Sequence, residues 1–126
     1  MAFEEDVLDV AFSAYADLSA YQYHFVKLTA DNEVTVCSGA TDAAIGILQN
    51  KPNAAGAVAR VRVMGVSRVF TGTAGLVRAL FVGTDASGHA VAKVANTNRV
   101  LGVSTATSST LEAGTMIVFP PRTLYV

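Results

Sequence analysis

Few side chains in this sequence of 126 residues could carry out covalent or acid–base chemistry: two histidines, one cysteine and a Ser/Thr run at residues 104–110. A nucleophilic cysteine needs a base and a polarising environment beside it, and Cys37 has no such partner at a recurrent spacing. His24 lies in an aromatic stretch typical of a strand and His89 lies in a turn, so neither is expected to act as a general base. The Ser/Thr run lacks the Gly-x-Ser-x-Gly turn of hydrolases. The sequence therefore predicts that the protein is not an enzyme.

Motifs that hold metals, cofactors or phosphate groups are missing from the sequence as well. It has no second cysteine, no pair of histidines two or four residues apart and no Asp-rich calcium loop. The glycines at residues 72–75 lack the Lys-Ser/Thr pair of a phosphate-binding loop. Neither a metal nor a cofactor is expected.

Nucleic acid and membrane are not expected partners. Arg60, Arg62 and Arg68 would form a basic stripe, but the whole chain has a formal net charge of −1. Domains that bind phosphate backbones are usually distinctly basic. No apolar run approaches the about 20 residues that span a bilayer.

These arginines belong to residues 57–71, the stretch around which the chain is organised. Apolar and charged residues alternate there, with Ala59 and Val61 on one face and Arg60 and Arg62 on the other. Alternation with β-branched residues is typical of a strand that buries one face and exposes the other. The sequence therefore predicts a central strand with arginines on its outer face.

Gly65 interrupts this strand, and a glycine inside a strand predicts a bulge or bend. Beyond Gly65, Val66, Arg68 and Phe70 share the outer face. The outer face therefore mixes cations with large apolar side chains. Such a mixture is typical of an interface rather than of a freely solvated surface.

An acidic N-terminal segment precedes this body and is predicted to be an arm. Residues 1–20 contain five Asp or Glu and no Lys or Arg, a charge of −5, whereas residues 21–126 carry +4. Leu8, Phe12 and Tyr15 fit one face of a short amphipathic helix, although an extended arm fits as well. The acidic charge is either solvated or docks on the arginine face of a second copy or another protein. The candidate interface residues are Phe3, Leu8, Phe12, Tyr15, Arg60, Arg62 and Arg68.

Residues 21–126 are predicted to form a β domain with two similar halves. Short strands separated by turns recur, and no amphipathic helix separates them, which argues against a parallel α/β fold. A shift of 56 residues superposes residues 25–47 on 81–103, and a shift of 58 superposes the Ala-Gly pairs that follow and the next strands. Each half, about residues 25–64 and 81–119, has too few strands to bury its apolar face alone. The sequence predicts an all-β fold, a small antiparallel barrel or a sandwich.

Composition also points to surface that another chain covers. The chain is 52% hydrophobic and 15% charged, whereas about 25% of residues are charged in soluble domains. A single cysteine excludes an intramolecular disulfide and fits synthesis in a reducing cytoplasm.

An ordered series of motifs extends over roughly residues 15–119. It consists of LSAYQY at 18–23, FVKLTAD at 25–31, AIGILQNKP at 44–52, AG at 55–56, VRV at 61–63, GVS at 65–67, GTDASG at 83–88 and VLGV at 100–103. In order and spacing the series resembles the capsid decoration proteins of tailed phages, the small cement or head-fibre type. The N-terminal segment and residues 122–126 lie outside the shared pattern.

The resemblance implies a structural virion protein without catalytic activity. Proteins of this kind bind the outside of an assembled phage head and reinforce it, commonly as homotrimers at local threefold positions. The implied partners are the major capsid protein and other copies of this chain. The implied location is the outer capsid surface, after synthesis in the cytoplasm of the bacterial host.

The alternative is a small β-barrel module that recognises carbohydrate or a cell surface. Such sites usually present exposed aromatic rings, and this chain has no Trp. Tyr15, Tyr21, Tyr23 and Tyr125 could substitute for Trp. Three of them lie at the entry to the first predicted strand of the β domain, where packing in the core or in the arm is expected.

Overall fold

The computed structural model describes residues 7–95, 98–109 and 113–123, and within these ranges it contains nine β-strands and no helix. The strands are β1 (Leu8–Ala14), β2 (Phe25–Ala30), β3 (Glu33–Val36), β4 (Ala44–Leu48), β5 (Val58–Phe70), β6 (Phe81–Thr84), β7 (Ala90–Ala92), β8 (Arg99–Ser104) and β9 (Ala113–Thr123). The prediction of an all-β fold is confirmed. Almost every pairing is antiparallel, and β1 beside β3 is the parallel exception among the strands.

Strands β1 to β4 and the first half of β5, as far as Met64, close into a five-stranded barrel, here called the first barrel. The strands follow the order β1–β3–β2–β4–β5, and β5 pairs back onto β1. Closure leaves no free edge within this set of strands. Its interior is filled by Ala14, Leu18, Val26, Val34, Leu48, Ala59 and Val61. Burying a side chain of this size contributes about 1.5–3 kcal/mol for each Val or Leu.

The second half of β5, from Gly65, together with β6 to β9 forms a second lobe. The strands follow the order β5–β9–β8–β6–β7. A single parallel bridge between Thr71 and Ala90 joins the end of β5 to β7. The core of this lobe also takes up residues of the first barrel, such as Phe25 and Ile47, so the two bodies share one apolar cluster.

Gly65 marks the point where β5 passes from the first barrel to the second lobe. Its φ of 106° lies in a region that residues with a Cβ rarely adopt. The partner of β5 changes at the same point, because Met64 pairs with Leu8 of β1 and Gly65 pairs with Val118 of β9. At the predicted bend, β5 therefore exchanges β1 for β9 as its paired strand.

Equivalent strands of the two bodies pair in the same way. Val26 of β2 pairs with Gly46 and Val36, and Val82 of β6, 56 residues later, pairs with Gly102 and Ala92. The first barrel and the second lobe therefore repeat one pattern of strand pairing.

The last strand of each body follows a different offset from the one that the sequence suggested. Ile47 pairs with Arg62 in the first barrel and Val103 pairs with Ile117 in the second lobe, so Arg62 and Ile117, 55 residues apart, occupy equivalent positions. The shift of 58 was wrong, since it matched two Ala-Gly pairs in unlike settings. Gly56 lies in a turn, whereas Gly114 lies inside β9 and pairs with Val69.

Two predicted elements differ from the structure. Residues 21–24, expected to open the first strand of the β domain, form turns, and Tyr23 has a positive φ of 67° that breaks an extended strand. The helical alternative for residues 1–20 fails in their described part, because Leu8–Ala14 is strand β1. Alternate residues of β1, such as Phe12 opposite Ala59, face the barrel interior, which is the period of a strand.

Candidate functional site

Pairing of β1 with β5 places one carboxylate between two guanidinium groups on the outer face of the first barrel. Asp9 accepts hydrogen bonds from Arg62 Nε at 2.8 Å and from Arg62 Nη2 at 3.1 Å. Arg60 Nη2 donates to the same carboxylate at 3.0 Å. The forked Arg62 contact is the stronger kind of ion pair, because two parallel hydrogen bonds fix its geometry.

Arg62 also crosses the bend of β5. Its Nη1 donates to the carbonyl oxygen of Val66 at 2.8 Å, beyond Gly65. The hydrogen bond and charge of Arg62, with a smaller contribution from Arg60, hold the pKa of the Asp9 carboxyl below its usual value, although burial opposes the effect. One side chain therefore ties β1, the first half of β5 and the bend together.

Exposed apolar side chains surround this ion cluster. Leu8 and Met64 are cross-strand partners and are 50% and 46% exposed, and Val58 at the start of β5 is 60% exposed. The side chain of Arg60 is 58% exposed, against 19% for Arg62. The outer face of β1 and β5, here called the β1–β5 face, therefore combines cations with apolar groups.

The structure brings together only part of the predicted interface set. Leu8, Arg60 and Arg62 meet on the β1–β5 face, and the acidic partner of these arginines is Asp9 of the same chain. Phe12 packs against the core of the first barrel, which removes much of its ring from any docking surface. Tyr15, 58% exposed, lies beyond the end of β1.

Two further members of the set lie elsewhere. Arg68 is exposed on the second lobe, opposite Thr115 of β9 and past the bend of β5. Phe3 lies outside the described residues.

A second surface, which the sequence did not predict, lies on the outside of the second lobe. Val66 pairs with Ile117, Ile117 with Val103, and Val103 with Phe81, so these four residues form one row across β5, β9, β8 and β6. Ile117 is 47% exposed and Phe81 is 44% exposed. We call these four residues the apolar row. No single strand marks this surface in the sequence, because only the register of the four strands places the four side chains next to one another.

Cations border the apolar row. Arg68 is exposed two residues along β5 from Val66, and Arg122 near the end of β9 lies with its Cζ 5.9 Å from the centre of the Phe119 ring. None of the strands β6, β7, β8 and β9, nor the second half of β5, carries an Asp or Glu. The electrostatic potential around the row is therefore expected to be positive.

An aromatic cluster joins the two bodies. The His24 ring stacks on Phe70 at 5.2 Å and lies 5.0 Å from the His89 ring. His24 is buried, its Nδ1 donates to the carbonyl oxygen of Gln22 when protonated on that nitrogen, and burial lowers the pKa of its imidazole. His89, expected to be a solvated turn residue, instead packs in this cluster with Asp85 3.5 Å from its Nδ1.

Cys37 is buried next to the same core, and burial raises the pKa of its thiol to about 11. The thiolate, which is the nucleophilic form, is therefore scarce at neutral pH. In the described part of the chain, no three His, Cys, Asp or Glu residues are grouped closely enough to hold a metal ion. The same part of the chain contains no helix that is long and apolar enough to cross a membrane.

Comparison with known proteins gives a likeness among solved structures only. No family model matches the sequence, and no curated protein matches it. Among solved structures, the chain is similar to the N base of the head fiber protein gp8.5 in bacteriophage phi29, with a TM-score of 0.61 and 16% sequence identity. The match covers 90% of this chain and 94% of that chain. The two chains therefore share a fold over nearly their whole length.

Proposed function

We propose that this chain is a structural virion protein that binds the outer surface of an assembled phage capsid and stabilises it, as a homotrimer at local threefold positions. The observation that carries the proposal is the fold that it shares, over nearly its whole length, with the base of a phage head fiber. The motif series in the sequence supports the same class of protein. Its partners are the major capsid protein and other copies of the chain, and no catalytic step is involved.

The surface of the protein suits such a role. The described residues present two exposed faces that mix apolar and cationic groups, the β1–β5 face and the apolar row with its border of arginines. A stable specific interface buries roughly 1,000 Å² or more. If one face bound the shell and the other bound neighbouring copies, each face would supply part of this buried area. Several copies held together would also bind the shell more tightly, because their weak single contacts act together.

The test is co-sedimentation of the purified protein with matching phage heads that lack it. We expect saturable binding, with a number of copies per head that is a multiple of three for each local threefold site. Heads with the protein bound should also release their DNA at a higher temperature than bare heads. Absence of binding at every salt concentration would contradict the proposal, and a glycan array would then test the carbohydrate-binding alternative.

Variants can assign the contact with the shell, provided that they leave the barrel intact. Deletion of residues 1–20 would remove β1 and open the first barrel, so the arm is tested by deleting residues 1–6 alone. Arg62 is also unsuitable because it holds Asp9. Arg68→Glu tests the cationic surface, and Lys51→Glu, an exposed cation at a turn of the first barrel, is its matched control. We expect weaker binding for Arg68→Glu and unchanged binding for Lys51→Glu.

A further inference from the structure

The apolar row has an equivalent in the first barrel, and that equivalent is covered. The pairings that join Val66, Ile117, Val103 and Phe81 have counterparts that join Asp9, Arg62, Ile47 and Phe25. Ile47 and Phe25 are fully buried, because they pack into the core of the second lobe. Their counterparts in the second lobe, Val103 and Phe81, have no such cover within the described residues.

A hairpin of the second lobe contributes to the surroundings of Phe25. The turn between β6 and β7 contacts the main chain of Phe25, whose amide donates to the carbonyl oxygen of Gly88 at 2.8 Å. Gly88 approaches so closely that a Cβ on it would lie 3.1 Å from the carbonyl oxygen of Phe25. One residue of the covered row is thus in contact with a hairpin of the same fold.

The first barrel carries the equivalent hairpin, and this one is exposed. It joins β2 to β3, and Asn32 occupies the position equivalent to Gly88, with a positive φ of 58° against 78°. Leu28 on this hairpin is 50% exposed, and residues 29–32 at its tip are exposed as well. Among the described residues, the apolar row is therefore uncovered in the second lobe, and the hairpin equivalent to its cover is exposed in the first barrel.

Charge favours contact between these two ends. Residues 1–65 contain eight Asp or Glu against four Lys or Arg, a net charge of −4, whereas residues 66–126 contain two against five, a net charge of +3. At the hairpin itself, Asp31 is exposed, and Lys27 is neutralised by Asp42 at 2.8 Å. An acidic tip therefore faces a row bordered by arginines when two copies meet head to tail, and opposite charges guide such an encounter.

We propose that the apolar row binds the β2–β3 hairpin of a second copy of this chain, so that copies associate head to tail. Contacts of this type join two different patches, and they close into a ring when the rotation between copies allows it. A ring of three would supply the homotrimer, so this inference rests on the proposed function and names the surfaces that build its oligomer.

The experiment measures mass in solution by sedimentation velocity for the wild type and three variants. Ile117→Glu places a carboxylate in the apolar row, Leu28→Glu does the same on the hairpin, and Val77→Glu changes a 56% exposed valine in the loop between β5 and β6. We expect a closed oligomer for the wild type and Val77→Glu. Ile117→Glu and Leu28→Glu should be monomers, with self-association weakened roughly a hundredfold or more, because an unpaired carboxylate becomes buried.

Mixing the two monomeric variants tests the head-to-tail arrangement directly. Ile117→Glu retains an intact hairpin and Leu28→Glu retains an intact row, so the mixture should form a one-to-one dimer through one good interface. Unchanged thermal unfolding of each variant shows that it is folded. A monomeric wild type, an oligomeric Ile117→Glu variant or a mixture that stays monomeric would each overturn the inference.

Co-sedimentation with heads separates this inference from the proposed function. Wild type that oligomerises as expected but does not bind heads contradicts the function and leaves the self-association surface standing. Wild type that binds heads while remaining a monomer in solution contradicts the surface and leaves the function standing. In that case, loss of head binding by Ile117→Glu would assign the apolar row to the shell.

Discussion

The first barrel and the second lobe share one pattern of strand pairing but differ in the residues of their outer faces. At equivalent positions of the strand pattern, the first barrel has Asp9 and Arg62 where the second lobe has Val66 and Ile117. The first pair is an ion pair that is mostly shielded from solvent, and the second is an apolar pair that remains in part exposed. In the first barrel the two charges of this pair therefore neutralise each other, whereas in the second lobe the equivalent apolar pair stays partly exposed to solvent.

This difference determines which surface of the repeated pattern stays available to another chain. In the first barrel the remainder of the row, Ile47 and Phe25, is buried by the second lobe, so folding of the chain itself uses that surface. No element within the described residues covers the row of the second lobe, which keeps its apolar character. Apolar side chains at such a position stabilise the protein little while they are exposed to water. They contribute to stability when another chain covers them.

The largest predicted effect concerns what the two bodies have in common. Gly46 and Gly102 are equivalent, and a Cβ at either would collide with the carbonyl oxygen of the facing strand, of Arg62 or of Ile117. Backbone atoms cannot move aside cheaply, so Gly46→Ala and Gly102→Ala should each lower the free energy of unfolding by about 3 kcal/mol or more. Urea unfolding followed by circular dichroism measures the change.

Gly56→Ala is the matched control for these two variants. Gly56 has a φ of 84°, but nothing lies within 4 Å of its Cβ position, so only backbone strain applies, at about 1–2 kcal/mol. If Gly102→Ala destabilised the protein no more than Gly56→Ala, the close packing of β8 on β9 would be refuted. If Gly46→Ala alone were severe, the two bodies would not be equivalent at this position.

The next effect tests the ion pair that distinguishes the first barrel. Asp9→Ala should lower the free energy of unfolding by about 1–2 kcal/mol, because the largely shielded Arg62 loses its charged partner. Replacing both residues with those of the second lobe, Asp9→Val with Arg62→Ile, should recover most of the loss, since a packed apolar pair often equals a buried ion pair. A double-mutant cycle in urea provides the measurement, and additive effects would show that the pair is not coupled.

The pH dependence of stability tests the aromatic cluster that joins the two bodies. Burial lowers the pKa of His24 in the folded state, so the unfolded chain binds its proton more readily. The contribution of neutral His24 to the free energy of unfolding should therefore be fully present above the ordinary pKa of about 6.5. It should be lost as the pH falls from there through the lower pKa of the folded state. Thermal unfolding between about pH 7 and pH 5 measures this, and carboxylates with lowered pKa values contribute only at more acidic pH.

His24→Phe is the variant that isolates this effect. A phenyl ring can keep the stacking on Phe70 but cannot be protonated, so the pH profile should flatten even though the hydrogen bond to Gln22 is lost. A profile as steep as that of the wild type would show that another group causes the acid sensitivity.

The sequence predicted those parts of this comparison that depend on local pattern. Alternation in residues 57–71 predicted β5, and Gly65 predicted the bend, because side-chain period and glycine conformation are properties of neighbouring residues. The all-β class followed from short strands and turns for the same reason.

What the sequence could not predict depends on register and on contact between distant strands. Asp9 and Arg62 are 53 residues apart, and only the pairing of β1 with β5 shows that they meet. The apolar row likewise needs three registers at once. One hypothesis from the sequence had the acidic segment docking on the arginines of a second copy or another protein, whereas the described contact of Asp9 with Arg60 and Arg62 lies within one chain.

The smallest predicted effect on stability comes from copying the ion pair into the second lobe. Val66→Asp with Ile117→Arg would replace two of the four residues of the apolar row with those of the equivalent positions in the first barrel, Asp9 and Arg62. The new pair is more exposed than the original, so its own contribution is small, and the free energy of unfolding should change by no more than about 1 kcal/mol. Self-association should nevertheless be lost, because the row would then be charged and internally satisfied, as it is in the first barrel. Sedimentation velocity and urea unfolding on the same sample provide both measurements. An unchanged oligomer in a stably folded double variant would mean that the contrast between the two rows has no part in how copies of this chain associate.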